Sequence, residues 1–353
     1  MIQLNTKRLK AVFEIQNPSR NKRCNDEAMR IITSLAPTGC TIIRNKGNLL
    51  IRKGGATGPH PYFLAHMDQV HSYAPFMQLR MKDNVLSAVD GNDQQCGVGG
   101  DDKCGIYLAL EMLHRLNHCT AVFVRDEEVG CLGSADVPLT WFDHASFVLQ
   151  ADRNNRTFDI IRDTNSMTCA SDEFLAAVLA LPQAAMHSEN TGSITDIGEL
   201  ARRGLGVSMI NISSGYHNPH SSTEVVHLDE LEIACELAYA IATRMGDYRW
   251  SHKPTDMWYP SYNYGKVSKW KWSSNNTLAD TDDTEDPLAD VYLPHSAYRD
   301  DLMADLEEVG YCRHYDQLDK WSTQELEDML YSSEIEDDIN NYTISTKPQP
   351  IPA

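Results

Sequence analysis

Three apolar runs of this chain each end in acids or a histidine: FLAHMDQVH at 63–71, VFVRDEEVG at 122–130 and VLQADR at 148–153. Short, continuously apolar runs bounded by turn residues read as strands buried on both faces. Runs with helical spacing alternate with them, such as IYLALEMLHRL at 106–116 and HLDELEIACELAYAIATRM at 227–245. That alternation constrains the fold to α/β: three layers, with a mostly parallel mixed sheet and helices on both faces. In such sheets ligands sit outside the carboxyl ends of the strands. His66, Asp68, Glu127, Glu128 and Asp152 all fall at predicted strand C-termini.

The loop GVGGDDKCG at 97–105 adds an acid pair, Asp101 and Asp102, ahead of the 106–116 helix. An Asp pair there has an ordinary explanation, since Asp caps free N–H groups and suits the positive end of the helix dipole. Its surroundings point further. His66 and Asp68 are one residue apart, so on an extended backbone both face the same side. That suits a metal-bound imidazole with a carboxylate nearby to hold it or to orient a neighbouring group. Glu127 and Glu128 point in different directions, so one can bind metal while the other works on a water. The candidate ligands are His66, Asp101, Glu128, Asp152 and His220. Five N/O donors without Cys suit two zinc ions that share one bridging carboxylate and keep open positions for water and substrate. Two ions roughly 3.5–4 Å apart can hold a hydroxide and stabilise an oxyanion. Glu127 is then free to act as general base.

The order of these motifs resembles the co-catalytic di-zinc peptidases: peptidase T, the glutamyl aminopeptidases and the leucine-type zinc aminopeptidases. The likeness is carried by His66-x-Asp68, Asp101-Asp102, Glu127-Glu128, Asp152 in QADR and His220 in HNPHSSTEVV, and it spans roughly 6–245. It implies the zinc-peptidase, phosphorylase/hydrolase-like fold. It also implies that His66 and His220 each bind one zinc, replaceable by cobalt or manganese, and that Asp101 bridges the two ions. The Asp101–Asp102 bond would be cis, and Asp68 would buttress His66 or a neighbouring ligand. Glu128 and Asp152 would complete the two shells, with Glu127 as the base. His217 is the rival to His220, which the xxxE pattern favours. ITDIGE at 194–199 resembles the family's Thr-Asp segment beside the substrate pocket, with Asp196 either there or structural. Tyr216 is the candidate oxyanion donor.

The implied activity is release of N-terminal amino acids from short peptides. A metallo-carboxypeptidase or N-acyl amino-acid amidohydrolase is the alternative, with Arg153, Arg202 or Arg203 gripping a substrate carboxylate. A catalytically degenerate, partner-binding chain is the third reading. Peptidase T inserts a lid or dimerisation domain between the equivalents of Asp152 and His220. Here only 67 residues lie between them, so a catalytic domain without an inserted lid is expected.

That domain is placed at 1–250, followed by an acidic, aromatic linker at 251–297, a small helical segment at 298–336 and a disordered tail at 337–353. The net charge of −19 argues against nucleic acid as a partner. From Lys253 on there are 8 Lys/Arg and 21 Asp/Glu, an acidic segment suited to a protein partner. The nine cysteines form no CxxC pair. With no signal-peptide core and no run long enough to span a bilayer, a cytoplasmic chain that does not enter the membrane is expected. Locally, helices are expected at 6–16 and, capped by Asn25, at 26–36. Hairpins are expected at 40–52 and 79–88, and a helix begun by Ser171 or Asp172.

Overall fold

Caps and apolar spacing set the first elements. In the computed structural model, Asn5 and Asn21 cap two amphipathic helices, α1 (Thr6–Phe13) and α2 (Lys22–Leu35). The hairpin β1 (Thr41–Asn45) and β2 (Asn48–Lys53) follows, then the buried strand β3 (His60–His66). Next come β4 (Gln78–Lys82), β5 (Val85–Val89), β6 (Gln95–Cys96) and α3 (Gly100–Arg115). The chain continues through β7 (Cys119–Val124), α4 (Leu132–Asp136), β8 (Ala145–Arg153), β9 (Asp159–Thr164) and α5 (Asp172–Leu179). Then come β10 (Ser188–Gly192), α6 (Asp196–Arg202), β11 (Met209–Ser213), β12 (Tyr216–His217), β13 (Val225–His227) and α7 (Leu228–Met245). The structure describes residues 2–255 apart from 56, 155, 156, 165 and 166. The helical segment at 298–336, the tail at 337–353 and most of the linker lie outside the described residues.

An eight-stranded sheet runs β1-β2-β7-β3-β8-β11-β9-β10. Its centre is parallel, through β7–β3, β3–β8 and β8–β11, and β9–β10 is parallel as well. The pairs β1–β2, β2–β7 and β9–β11 are antiparallel. Alternate residues of each central strand feed opposite faces. Phe63, Ala65, Ala121, Phe123, Phe147 and Leu149 pack with α1, α2, α3 and α7. Leu64, Val122, Val124 and Val148 pack with Ile197 and Leu200 of α6 and with Phe142. Each such Phe, Leu, Ile or Val side chain stabilises the fold by about 1.5–3 kcal/mol on burial. The mostly parallel sheet with helices on both faces is the expected architecture. No described helix is long and apolar enough to cross a membrane.

A second, five-stranded antiparallel sheet runs β12-β13-β5-β4, with β6 on β5. Its β4–β5 hairpin matches the expectation at 79–88; its other strands were not anticipated. The cap of α2 also differs. Asn21, not Asn25, accepts the Cys24 N–H. Asn25 is buried, and its amide donates to the Gly47 carbonyl, so the helix starts four residues earlier. Past α7, Ser251 bridges Val207 and the Thr255 carbonyl accepts the Thr168 N–H at 3.0 Å.

Candidate active site

The three central parallel strands bring the acids together. β3 has β7 and β8 as neighbours, with His66 level with Val124 and Leu64 level with Gln150. Their carboxyl ends deliver His66, Asp68, Glu127, Glu128 and Asp152 to one edge. Asp152 lies within β8, one residue before its end, rather than past it.

The start of α3 faces that edge. Asp101 and Asp102 have φ/ψ of −80°/104° and −115°/38°, so regular helix begins only after them, and the bond between them is cis. Asp102 does the capping: its Oδ1 accepts the Gly105 N–H at 2.9 Å. Asp101 is left facing the imidazoles. The loop also needs Gly100. A Cβ there would lie 2.6 Å from Tyr216 Cβ and 2.8 Å from Val226 Cγ2. That close approach holds the Asp101 loop against β12 and β13, whose connecting loop carries His220.

All seven expected site residues converge here. His66 Nε2 lies 3.0 Å from Asp101 Oδ1, 3.6 Å from Asp152 Oδ1 and 4.0 Å from Glu127 Oε2. His220 Nε2 lies 3.1 Å from Glu128 Oε2 and 3.4 Å from Asp101 Oδ2. One donor atom from each of His66, Asp101 and Asp152 lies within 4.8 Å of the others, and the same holds for Asp101, Glu128 and His220. Either group could hold a metal ion, and Asp101 belongs to both, with one oxygen toward each histidine. The rival His217 groups elsewhere, with His227 and Glu230.

The electrostatics describe an excess of buried carboxylate. Burial, with Asp152, Asp196 and Glu128 adding to it, pushes the Glu127 carboxyl up to about 10. Burial and Asp101 push Glu128 up to about 7. Burial raises Asp152 as well. Hydrogen bonding to Asp101 lifts the His220 imidazole to about 9. For His66, burial alone would depress the ring, but Asp101, Asp152 and Asp68 hold it well above its usual range. Four carboxylates thus share two imidazoles, and Glu128 Oε1 is buried with no hydrogen-bond partner. Clustered buried carboxyls that burial keeps from ionising, together with an orphaned oxygen, fit a cation site. A donor set of only N and O atoms suits a catalytic divalent metal such as zinc rather than a thiolate-closed structural site.

A ring of polar groups fixes the donors. Asp68 Oδ1 accepts the Glu127 N–H at 2.9 Å, and Oδ2 accepts the Ser19 hydroxyl at 2.7 Å and the Glu128 N–H at 3.3 Å. His66 Nδ1 lies 3.1 Å from the Asp68 carbonyl and 3.4 Å from its carboxylate. Asp102 Oδ2 accepts the His66 backbone N–H at 3.1 Å.

Sequence reasoning missed Glu224. It is fully buried, accepts N–H groups from Gly99 at 2.7 Å and Asp101 at 3.1 Å, and meets His71 Nε2 at 2.7 Å. Its signal was the final residue of HSSTE. Gln150 was missed too, although a polar residue in an apolar strand marks it. Its amide donates to Asp152 at 3.1 Å and to Asp196 at 3.3 Å. Asp196 is fully buried behind it. The buried Tyr216 hydroxyl lies 3.5 Å from Asp152 Oδ1. Arg202 pairs with Glu199, and Arg203 donates to the Ser134 and Val137 carbonyls. Arg153 lines a depression together with Asp152, Ile161, Ile194, Thr195 and Asn211.

No family model and no curated protein matches the sequence. Solved structures do. Aminopeptidase PepT of Bacillus cereus superposes with a TM-score of 0.53 at 14% identity, over 68% of this chain and 98% of that one. A tripeptidase of Staphylococcus aureus gives 0.53 at 13% identity, over 69% and 99%. An aminopeptidase of the archaeon Desulfurococcus kamchatkensis gives 0.50 at 15%, over 69% and 96%. The chain shares the fold of these aminopeptidases and of this tripeptidase, the fold that the resemblance implied.

Proposed function

We propose that this chain is a metallopeptidase that releases N-terminal amino acids from short peptides. The observation that carries the reading is Asp101, whose two oxygens point to two different histidines, each with a further carboxylate beside it. His66 and Asp152 would hold one ion, His220 and Glu128 the other, and Asp101 both. Zinc is the proposed metal, with cobalt or manganese as substitutes. When bound, such a pair supplies Lewis acidity and a water acidic enough to attack at neutral pH.

The chain's own residues do the rest. Glu127 is not needed to complete either donor group, and its carboxylate reaches the same cleft. With the ions bound, their charge would bring the Glu127 carboxyl down from about 10, and as a carboxylate it would take the proton of the attacking water and return it to the leaving amine. Asp68 positions Glu127 and Glu128 through their N–H groups and steadies the His66 ring.

The test is Glu127→Gln on the full chain. Hydrolysis of an amino-acid p-nitroanilide should fall by at least about 100-fold, while metal content by elemental analysis stays unchanged. An active variant would sink the assignment of the base.

One observation favours a second reading. Arg153 lines the same depression as Asp152, and a guanidinium there could grip a substrate carboxylate, as a carboxypeptidase or amidohydrolase requires. Cleavage of N-blocked substrates in preference to free-amine ones would select that reading. The acidic segment from Lys253 on is proposed to bind a protein partner.

A further inference from the structure

We infer that His217, His227 and Glu230 form a third divalent-metal site, separate from the active-site cluster, which braces the loop carrying His220. The three donors converge because of how the chain is laid out. In the β12–β13 pair, His217 stands opposite Val225. His227 is two residues beyond Val225, so it projects from the same face, diagonal to His217. Glu230 is three residues further, in the first turn of α7, on the same helix face as that end. Gly215 lets the two elements meet. A Cβ there would lie 2.8 Å from the Leu231 nitrogen and 2.9 Å from the His227 carbonyl oxygen.

The result is a compact trio. His217 Nε2 lies 2.7 Å from Glu230 Oε2, and His227 Nδ1 lies 4.0 Å from Glu230 Oε1. The two imidazoles have centroids 4.4 Å apart. One donor atom from each residue lies within 4.8 Å of the other two. Two donors on a tetrahedral zinc with bonds of about 2.0–2.1 Å stand roughly 3.4 Å apart, so small side-chain shifts close the site. Two imidazoles and one carboxylate, with the remaining position open to water, make a donor set that zinc accepts. Both ion-pair partners of Glu230 are these histidines. All three side chains are partly exposed, so an ion can enter from solvent.

The placement gives the site its role. The loop between β12 and β13 carries His220 and Glu224. An ion held by His217, His227 and Glu230 ties the first strand of that hairpin to the end of the second and to α7. It therefore holds both ends of the loop without entering the active-site cluster.

The experiment is equilibrium dialysis of the full chain at pH 7.5 against buffered free zinc, followed by elemental analysis. Wild type is compared with His227→Ala and with Glu230→Gln. Each variant should hold one zinc fewer per chain than wild type. Added zinc should raise the melting temperature of the wild type beyond that of His227→Ala. Circular dichroism checks that both variants fold, and Glu230→Gln keeps the volume if His227→Ala does not. Equal zinc content in wild type and in both folded variants overturns the proposal. The active-site reading is scored separately by Asp101→Ala, whose metal loss does not depend on this trio.

Discussion

Truncating Glu224 should unfasten the loop that carries Asp101. Glu224 is fully buried, and its two oxygens accept the N–H groups of Gly99 and Asp101 while also meeting the His71 ring. Glu224→Ala leaves two buried donors without an acceptor, at about 1–3 kcal/mol each. It also removes charge that supports Lys103, whose ammonium is buried and pushed down to about 8 despite the help of Glu224. Lys103 keeps the Val98 and Phe13 carbonyls as partners, so only part of the penalty for an uncompensated buried charge applies. The expected loss is about 4 kcal/mol, a large share of a typical total of about 5–15 kcal/mol. Glu224→Gln keeps one acceptor oxygen and the volume, and should lose about half as much. Urea unfolding followed by circular dichroism, with chelator present so that metal binding adds nothing, measures both. A loss below about 1 kcal/mol in Glu224→Ala would refute the reasoning, because the two N–H groups would then have found other partners.

Asp101→Ala should abolish binding at both proposed ion positions, whereas Asp152→Ala should spare the one beside His220; elemental analysis distinguishes two ions lost from one. Gly100→Ala should destabilise the fold by about 2–3 kcal/mol or more, since its Cβ meets Tyr216 and Val226 well inside contact distance; an unchanged melting temperature would contradict the close approach. His60 is buried, and burial pushes its imidazole down to about 4 although the Gly58 carbonyl opposes the shift. The unfolded chain takes up that proton near pH 6.5. The native state therefore has its full advantage above pH 6.5 and loses it as pH falls toward 4. His60→Asn should remove about 2 kcal/mol of the stability difference between pH 7 and pH 4.5 in urea unfolding; parallel curves for the two proteins would contradict it.

What the sequence made legible, and what it did not, follows from the range of the interactions. β3, β7 and β8 are buried on both faces, so their apolar runs announce them and place the acids that follow. β12 and β13 span only 216–217 and 225–227, and β13 pairs with Leu86 and Val85, far away in the chain. Runs of two and three residues are too short to show a strand's period. The start of α2 was misread for a related reason: Asn21 and Asn25 are both good caps, and only the burial of Asn25 against Gly47 separates them.

The acids show the same limit more sharply. Asp68, Asp102 and Glu224 look in sequence like Asp101, Asp152, Glu127 and Glu128, yet they do different work. Each of the first three accepts backbone N–H groups from another segment that carries a proposed donor or base. Asp68 joins the end of β3 to Glu127 and Glu128, Asp102 joins the start of α3 to His66, and Glu224 joins the His220 loop to Asp101. Asp152 is tied through its own N–H to Asn211 at 2.8 Å. A carboxylate whose oxygens already accept N–H groups is stabilised as an anion and has little lone-pair capacity left for an ion. The remaining carboxylates, facing imidazoles, keep theirs. Every segment that carries a proposed donor is thus fastened by bonds that need no ion. Donors held in this way bind with less ordering on capture, and Asp68, Asp102 and Glu224 rather than the proposed donors themselves set that preorganisation. Asp68→Asn, which keeps volume but turns one acceptor into a donor facing N–H groups, should therefore weaken metal affinity by 10–100-fold without touching a proposed ligand. Competition with a chelator of known affinity reads that change, and unaltered affinity would show that the ligands order themselves.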